Sequence, residues 1–234
     1  MADPALEAVA KAALDEVRDG ARLGLGSGRA ASLFITLLGE RVRQGLRVSG
    51  VATSEASARL AHAAGIALAD LDEGPPLDLT VDGADEVAPG LDLVKGWGGA
   101  LVRERIVAAA SLRQVIVVGS EKLVTGLGAR GRIPIEVIPF ALAPVRRCVR
   151  ELGLSMSLRR DADGAAAYRT DNGNEILDLT PAAPLDPGAA RALDAALLSI
   201  PGVVDTGLFL GTAESVLVGH ADGRVETLRR VAHH

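Results

Sequence analysis

The sequence predicts an α/β protein built from two domains, a larger one around a parallel sheet and a smaller α+β one. Short apolar runs alternate with helical stretches as far as residue 119. After residue 132 the order of predicted elements becomes β-α-β-β-α-β, and two further short strands follow. We therefore expect a larger domain of residues 1–132 plus 211–234 and a smaller domain of residues 133–210.

The first half of the chain has the alternation that is typical of a parallel sheet. Asp3 and Pro4 suit the N-cap and first position of a helix, which Gly20 would close. The apolar runs predict strands at Ala21–Gly26, Leu46–Ala52, Ile66–Leu71, Leu77–Val81, Leu91–Lys95 and Gln114–Gly119. Helical spacing of apolar residues predicts helices at Ala30–Leu38, Glu55–Ala64 and Ala100–Ala110. Residues 72–76 are predicted to be a loop.

The second half predicts a different arrangement. Ile133–Phe140 contains Pro134 and Pro139, and proline cannot donate a ladder hydrogen bond, so an irregular edge segment is expected. The elements that follow are predicted as Ala143–Leu152 (helix), Ser155–Leu158 (strand), Asn172-Gly173 (hairpin turn), Pro187–Leu198 (helix) and Val203–Leu210 (strand). This order indicates a ferredoxin-like split βαβ module. The strands Ser215–Val218 and Val225–Leu228 are expected to return to the first sheet.

Composition and charge exclude several classes of protein. The net charge is −5, and no cluster of Lys and Arg provides the basic patch of a nucleic-acid-binding protein. The single cysteine, Cys148, excludes an internal disulfide framework and fits a reducing compartment. No signal-peptide pattern and no apolar run of membrane-spanning length is present. We expect a cytoplasmic protein with no nucleic-acid or membrane partner.

Lysine is rare, and its positions are informative. Only Lys11, Lys95 and Lys122 are lysines, whereas the other basic residues are arginines. Lys95 and Lys122 both follow predicted strands beside glycines, where a compact ammonium group is useful in a way that a guanidinium is not. Chance remains the alternative explanation for so small a sample.

The first candidate site is the segment Gly24–Ala30, in which a strand leads through glycines into a helix. Backbone N–H groups at such a junction bind phosphate, because glycine allows close approach and the helix N-terminus is electropositive. A purely structural turn is the alternative. The loose match to a dinucleotide fingerprint is weak, since Thr53 and Ser54 stand where an acidic ribose ligand would end the second strand.

The second candidate is the acidic turn VDGADE (residues 81–86), which follows an apolar strand. Ligands of open α/β sheets bind at the carboxyl ends of the strands, so Asp82 and Asp85 could both accept hydrogen bonds from one polyhydroxylated ligand. A solvated acidic turn is the alternative. A metal site is not expected, because none of the four histidines lies nearby in the sequence.

The third candidate is LVKGWGGALVRE (residues 93–104), where Lys95 ends a strand and Glu104 falls early in a helix. The helix dipole favours an ionised carboxylate there. A carboxylate base with a lysine to stabilise an oxyanion is the pair that an enediolate mechanism requires. The alternative is an exposed helix surface carrying Arg103, Glu104 and Arg105.

The fourth candidate is Lys122, at the end of VGSEK (residues 118–122), again after a strand. Its ammonium group could contact an anion as a point charge, and a solvated lysine is the alternative.

Taken together, these segments resemble the type A family of ribose-5-phosphate isomerases. The matching segments, in the order and spacing of that family, are GLGSG, VDGADE, LVKGWGGALVRE, VGSEK, IPIEVIPF, TDNGNEILD and IPGVVDTGLF. The resemblance implies a Rossmann-like larger domain, a homodimer or homotetramer, and conversion of ribose 5-phosphate and ribulose 5-phosphate without a metal or organic cofactor.

The resemblance also implies roles for individual residues. Glu104 would be the base that moves a proton between C2 and C1, and Lys95 would stabilise the oxyanion. Asp82 and Asp85 would bind hydroxyls and assist ring opening. The phosphate would be held by Lys122 and by the loop residues Ser27, Gly28, Arg29 and Ala30. The remaining substrate-binding positions would be Gly83, Ala84, Gly96, Gly98 and Trp97, the last by shaping its loop.

The chain departs from the family pattern at the phosphate loop. The family usually reads GTGST where this chain reads GSGRA, so Arg29 and Ala30 replace two hydroxyl residues. Leu6 and Glu7 also stand where relatives often have lysines. We expect Arg29 to take over phosphate binding, and the alternative is that it points into solvent.

Two other functions are compatible with a related fold. In an acyl-CoA transferase Glu104 would be a nucleophile that forms a thioester. A sugar-phosphate sensor would carry a helix-turn-helix module, for which the chain has no room before residue 20.

Overall fold

The computed structural model describes residues 3–71 and 74–230, so two residues of the predicted loop 72–76 and two of the four histidines lie outside the described part. The helices are α1 (Pro4–Leu14), α2 (Arg29–Arg43), α3 (Glu55–Ala63), α4 (Leu101–Ala109), α5 (Leu142–Glu151) and α6 (Pro187–Leu198). The strands of the first half are β1 (Arg22–Leu25), β2 (Ser49–Ala52), β3 (Ala67–Leu68), β4 (Leu79–Asp82), β5 (Glu86–Val87), β6 (Leu93–Val94) and β7 (Gln114–Gly119). Those of the second half are β8 (Ile133–Val137), β9 (Ser155–Leu158), β10 (Glu175–Thr180), β11 (Val203–Thr206), β12 (Leu208–Phe209), β13 (Ser215–Gly219) and β14 (Val225–Arg229).

The chain divides into two compact units. The first consists of Met1–Ala84, Arg103–Lys122 and Thr212–His234. Its sheet has the order β14-β13-β7-β4-β1-β2-β3, and all neighbours are parallel except β14, which pairs antiparallel with β13. The predicted α/β fold is confirmed, and the last two strands do return to the first sheet.

The core of the first unit is built from apolar side chains, mostly aliphatic, on the sheet and on the helices α1 and α2. Fully buried members include Val9, Leu23, Phe34, Leu38, Val81 and Val117. A Cβ added to Gly24 would lie 2.6 Å from Val107 Cγ1 of α4 and 1.9 Å from Thr80 Oγ1 of β4. This close approach fixes α4 against β1 and β4, which matters for the position of Glu104.

The second unit consists of Asp85–Val102 and Leu123–Gly211. Its main sheet is antiparallel with the order β11-β8-β10-β9. Helix α5 connects β8 to β9, and α6 connects β10 to β11. Because the chain order is β8-α5-β9-β10-α6-β11, this is the ferredoxin-like arrangement that the sequence predicts. A small antiparallel sheet, β12-β6-β5, carries the segment that leads to Lys95.

The prediction of an edge segment at Ile133–Phe140 is wrong. Residues 133–137 form β8, which lies between β11 and β10. Pro134 is tolerated because its carbonyl accepts from Gly207 N–H (2.7 Å), just beyond Thr206, the last residue of β11. In an extended strand the N–H and C=O of one residue point toward the same neighbour, so the missing donor faces the place where β11 has ended.

The prediction that Gly20 closes the first helix is also wrong. Helix α1 ends at Leu14, and its C-cap residue Asp15 donates its N–H to Ala12 O and Ala13 O. A tighter turn follows, in which Val17 N–H donates to Leu14 O (3.1 Å). Gly20 has a φ of +82° and instead forms the turn that leads into β1.

The predicted domain bounds differ from the observed units in the segments 85–102 and 123–132 and at Gly211, all of which belong to the second unit. The carboxylate of Glu86 accepts hydrogen bonds from the N–H groups of Gly128 and Arg130, both 2.6 Å. In addition, β6 pairs with β12. These contacts join residues far apart in sequence, so the change in element order at residue 132 does not mark the boundary.

None of the helices within residues 3–71 and 74–230 is long and apolar enough to cross a membrane.

Candidate active site

Three neighbouring strands of the first unit lead directly into candidate segments. Strand β1 ends at Leu25 before the Gly26–Ala30 loop, β4 ends at Asp82, and β7 ends at Gly119 before a short 3₁₀ turn, Ser120–Lys122. The strands are adjacent and parallel, in the order β7-β4-β1, so their carboxyl ends meet at one edge of the sheet. This is the edge at which open α/β sheets bind ligands.

The loop after β1 provides a place for an anion. Gly28 is the N-cap residue of α2, with φ +89°, and has no side chain to cover the first N–H groups of the helix. Those N–H groups and the helix dipole favour a bound anion such as phosphate. Ala30 is buried (7% exposed) in the first turn of the same helix.

A cluster of hydroxyl groups supports this loop. Ser27 Oγ lies 2.8 Å from Thr53 Oγ1, 2.9 Å from Ser54 Oγ and 3.2 Å from Ser57 Oγ. Ser57 donates in turn to Gly26 O (2.7 Å), and Ser54 is the N-cap residue of α3. Sequence reasoning did not assign Thr53 and Ser57 to the site. The available signal was that three hydroxyl residues follow β2, the strand next to β1.

Asp82 is held rigidly at the end of β4. Its side chain is fully buried, and Oδ1 accepts from the N–H groups of Ser27 (2.9 Å) and Gly83 (2.8 Å). A Cβ on Gly26 would lie 2.2 Å from this oxygen, so only glycine allows the loop to come so close. The Gly-rich loop after β1 and the acidic turn after β4 are therefore in direct contact. Ala84 follows Gly83 in this turn.

Glu104 lies in the first turn of α4 and is only 5% exposed, which rules out the exposed-helix alternative for this residue. It shares a helix face with Val107, three residues later, which packs against Gly24 of β1. Because α4 leads into β7, the helix runs opposite to the strands and its first turn lies toward their carboxyl ends. A buried carboxylate therefore lies at a helix N-terminus near this edge, where the helix dipole favours its ionised form.

The two basic residues among the first unit's candidate-site residues differ in their surroundings. Arg29 is 81% exposed at its side chain, with Nη2 3.5 Å from Asp3 Oδ2. An exposed pair of this kind contributes only about 0–1 kcal/mol, so it does not commit the guanidinium to Asp3. Lys122 is partly buried in the 3₁₀ turn after β7.

The second unit holds the other members of the predicted site. Lys95 follows β6 and is almost completely buried (2% exposed), with Nζ 5.5 Å from the centre of the Phe209 ring. Its N–H donates to Gly207 O (2.9 Å). A Cβ on Gly207 would lie 2.4 Å from Lys95 O, so glycine is needed to admit the lysine backbone.

Asp85 is tied to the loop that follows Lys95. Its N–H donates to Val94 O (2.8 Å), and its Oδ2 accepts from the N–H of Trp97 (2.9 Å). The Trp97 indole donates to Arg132 O (3.1 Å), and the guanidinium groups of Arg130 and Arg132 lie 5.3 and 4.5 Å from its ring centre. Such contacts to an indole face are favourable and restrain the ring.

The structure thus collects the predicted residues into one group within each unit. In the first unit these are Ser27, Gly28, Arg29, Ala30, Asp82, Gly83, Ala84, Glu104 and Lys122. In the second unit they are Asp85, Lys95, Gly96, Trp97 and Gly98. In the described part of the chain, no cluster of three or more His, Cys, Asp or Glu side chains is arranged to hold a metal ion.

Comparison with known proteins gives consistent matches. The family model "Ribose 5-phosphate isomerase A (phosphoriboisomerase A)" matches residues 49–223. The ribose-5-phosphate isomerase A of Gloeobacter violaceus is 48% identical over 95% of this chain and 94% of that protein. The one from Nitrobacter hamburgensis is 50% identical over 90% and 91%, respectively.

Solved structures agree with these matches. Ribose 5-phosphate isomerase A of Methanocaldococcus jannaschii has a TM-score of 0.90 and 39% identity, over 97% of this chain and all of that one. A D-ribose-5-phosphate isomerase in complex with phospho-erythronic acid has a TM-score of 0.92 and 36% identity, over 98% of this chain and all of that one.

Proposed function

The chain belongs to the ribose 5-phosphate isomerase A family, and from this premise we propose how its residues interconvert ribose 5-phosphate and ribulose 5-phosphate. The observation that carries the proposal is the buried carboxylate of Glu104 near the sheet edge that also carries Asp82 and the Gly-rich loop. The direct test is to mix the purified protein with ribose 5-phosphate and follow the absorbance of the ketose. The acyl-CoA transferase and sensor alternatives are set aside.

The first chemical task is to open the sugar ring. Asp82 and Asp85 accept hydrogen bonds from substrate hydroxyls and assist the proton transfers of ring opening. Asp82 is suited to this role because two backbone N–H groups hold Oδ1 in place. Asp85 is similarly fixed by the N–H of Trp97. Preorganised acceptors lose little freedom when the substrate binds.

The second task is proton transfer between two carbons. Glu104 removes the proton from C2 of the open aldose, and the electron pair forms a cis-enediolate. Glu104 then delivers a proton to C1 while a second proton moves from O2 to O1, which gives the ketose. Lys95 stabilises the negative oxygen of the intermediate, since an ammonium group in a buried site is a strong oxyanion partner.

The third task is to hold the phosphate group. The N–H groups at the start of α2, the loop Ser27–Ala30 and the Lys122 ammonium supply the positive potential. The hydroxyl cluster around Ser27 keeps the loop in place for this purpose.

Arg29 provides a specific test of the phosphate site. A guanidinium can make two parallel charge-assisted bonds to a phosphate and so compensate for the absent hydroxyls. Since hydrogen bonds to charged groups contribute roughly 1.5–3 kcal/mol, Arg29→Ala is expected to lower kcat/KM by about 10- to 150-fold. Most of the change should be in KM, because the phosphate is remote from the reacting carbons. Steady-state kinetics and inhibition by inorganic phosphate measure both effects.

The matched control is Arg41→Ala, which removes an exposed arginine from the last turn of the same helix. Its KM should equal that of the unmodified protein. If Arg29→Ala also keeps its KM and its inhibition by phosphate, Arg29 is a solvent-facing residue and the loop, backbone and Lys122 bind the phosphate without it.

Activity is expected to survive exhaustive chelation, because the proposal assigns proton transfer to Glu104 and oxyanion stabilisation to Lys95. The measurement compares kcat before and after dialysis against EDTA. Loss of activity that a divalent ion restores would require the carboxylates to be reassigned as metal ligands.

We also propose, on the family resemblance, that the protein works in the cytoplasm as a homodimer or homotetramer. Light scattering of the purified protein across a dilution series tests the assembly. A monomer that is fully active at all concentrations would contradict it.

A further inference from the structure

We propose that Arg159 is a positioning residue, which holds the loop Gly96–Gly98 and thereby places the Lys95 ammonium group for catalysis. The proposal rests on the role of Lys95 given above. Arg159 is absent from every motif assigned to the chemistry, and it follows directly after β9, with its N–H donating to Ile176 O of β10 (2.9 Å).

The contacts of Arg159 connect the loop to the sheet of the second unit. Its Nη1 donates to two consecutive carbonyl oxygens, Gly96 O (2.9 Å) and Trp97 O (3.0 Å). Its Nε donates to Asp178 Oδ2 (2.9 Å), and its Nη2 donates to Asp178 Oδ1. The side chains of Arg159 and Asp178 are each only 9% exposed. One buried guanidinium therefore holds a carboxylate and two loop carbonyls at the same time.

These contacts require the geometry of arginine. The planar guanidinium has N–H groups on more than one edge, so one edge can meet a carboxylate while another meets the carbonyls. A lysine ammonium in the same place would act as a point charge and could not span both sets of acceptors. Asp178, on β10, fixes the rotation of the fork through its two oxygens.

The loop position controls Lys95 because its backbone is held on both sides. On one side, Lys95 N–H donates to Gly207 O (2.9 Å); on the other, the next residue's carbonyl is held by Arg159. Tyr168 adds a third contact by donating from Oη to Gly98 O (3.3 Å). Burial, with a contribution from the Asp171 carboxylate, raises the pKa of Tyr168, so its hydroxyl keeps the proton that it donates.

A purely stabilising role would not require this arrangement. Buried ion pairs cost desolvation energy and can often be replaced by apolar residues without loss of stability. An apolar pair at positions 159 and 178 would fill the space but leave the Gly96 and Trp97 carbonyls without their donor. Activity and stability should therefore separate when the pair is replaced.

The first variant is Arg159→Lys, which keeps a positive charge beside Asp178 but loses the planar guanidinium that contacts Asp178 and the loop carbonyls together. We expect kcat to fall by about 10- to 100-fold with little change in KM, because a loop shift of about 1 Å is enough to misplace a catalytic group while the phosphate contacts are unaffected. The second variant, Arg159→Met/Asp178→Leu, leaves no lone buried charge and so protects folding. It should show the same fall in kcat with a thermal unfolding midpoint near that of the unmodified protein.

Trp97 supplies a readout that does not depend on activity. It is the only tryptophan in the chain and lies in the loop held by Arg159. Its emission maximum and its quenching by acrylamide should change in both variants. The matched control is Arg113→Lys, at a residue that pairs with Glu16 and Glu214 in the first unit. It should leave kcat and Trp97 emission unchanged.

The outcomes distinguish the inference from the proposed function. Unchanged kcat and Trp97 emission in both Arg159 variants would overturn the inference, and so would a fall in kcat no larger than that of Arg113→Lys. If those results came with an inactive Lys95→Met, the proposed function would stand without Arg159. Full activity of Lys95→Met would overturn both.

Discussion

Replacing Glu104 with glutamine is expected to lower kcat by about 10²–10⁴-fold, the usual contribution of a general base. Glutamine has nearly the same size and keeps most hydrogen bonds, so KM for ribose 5-phosphate should change little. The burial of Glu104 at 5% exposure strengthens the expectation, because water cannot easily replace the missing base. The measurement is steady-state kinetics together with exchange of a C2 deuterium label into solvent.

The matched control for this substitution is Glu175→Gln. Glu175 is buried to a similar extent (6% exposed) but lies on β10 of the second unit and pairs with Arg169. Its kcat should remain that of the unmodified protein, which would show that loss of a buried carboxylate is not enough to stop turnover. Unimpaired turnover in Glu104→Gln would mean that another group abstracts the proton.

Replacing Lys95 with methionine is expected to lower kcat by about 10²–10³-fold, as removal of one oxyanion-stabilising group does in other enzymes. Methionine keeps a flexible apolar side chain of similar length at this buried position, so the fold should tolerate the change. KM should change little, because the ammonium group acts mainly when negative charge develops in the transition state. Circular dichroism and kinetics of the same sample separate folding from catalysis.

Lys11→Met is the control, since it makes the same substitution at an exposed lysine on α1 that pairs with Glu7. Its kcat and KM should not change. A rise in KM alone for Lys95→Met would instead make Lys95 a substrate-binding residue, and the oxyanion would need another partner.

Local signals predicted many elements well. Helix α6, Pro187–Leu198, and strand β7, Gln114–Gly119, have the bounds that the sequence predicts. In α6 the reason is visible, because Asp186 accepts from Ala189 N–H as N-cap and Pro187 occupies the first position. Such signals act within a few residues, so they can be read without knowledge of the fold.

The same local reasoning failed where the environment of a residue came from elsewhere in the chain. The rule that proline favours edge strands predicts an edge position for Ile133–Phe140, whereas β8 lies between two strands. The sequence could not show that β11 would end at Thr206, or that the carbonyl of Gly207, opposite Pro134, would accept from Lys95 N–H instead. The boundary of the second unit was missed for a related reason, since the contacts of Glu86 with Gly128 and Arg130 span more than forty residues.

For the candidate site, the sequence by itself determined the types of the reactive residues and the strand ends that carry them, because motif, turn and strand end lie close together along the chain. Only the tertiary structure decided which of these residues touch. Ser27 N–H reaches Asp82 across 55 residues, and Arg159 reaches Gly96 across 63. Those contacts depend on strand order and on the close approach of backbones at Gly26, and hydrophobic periodicity carries information about neither.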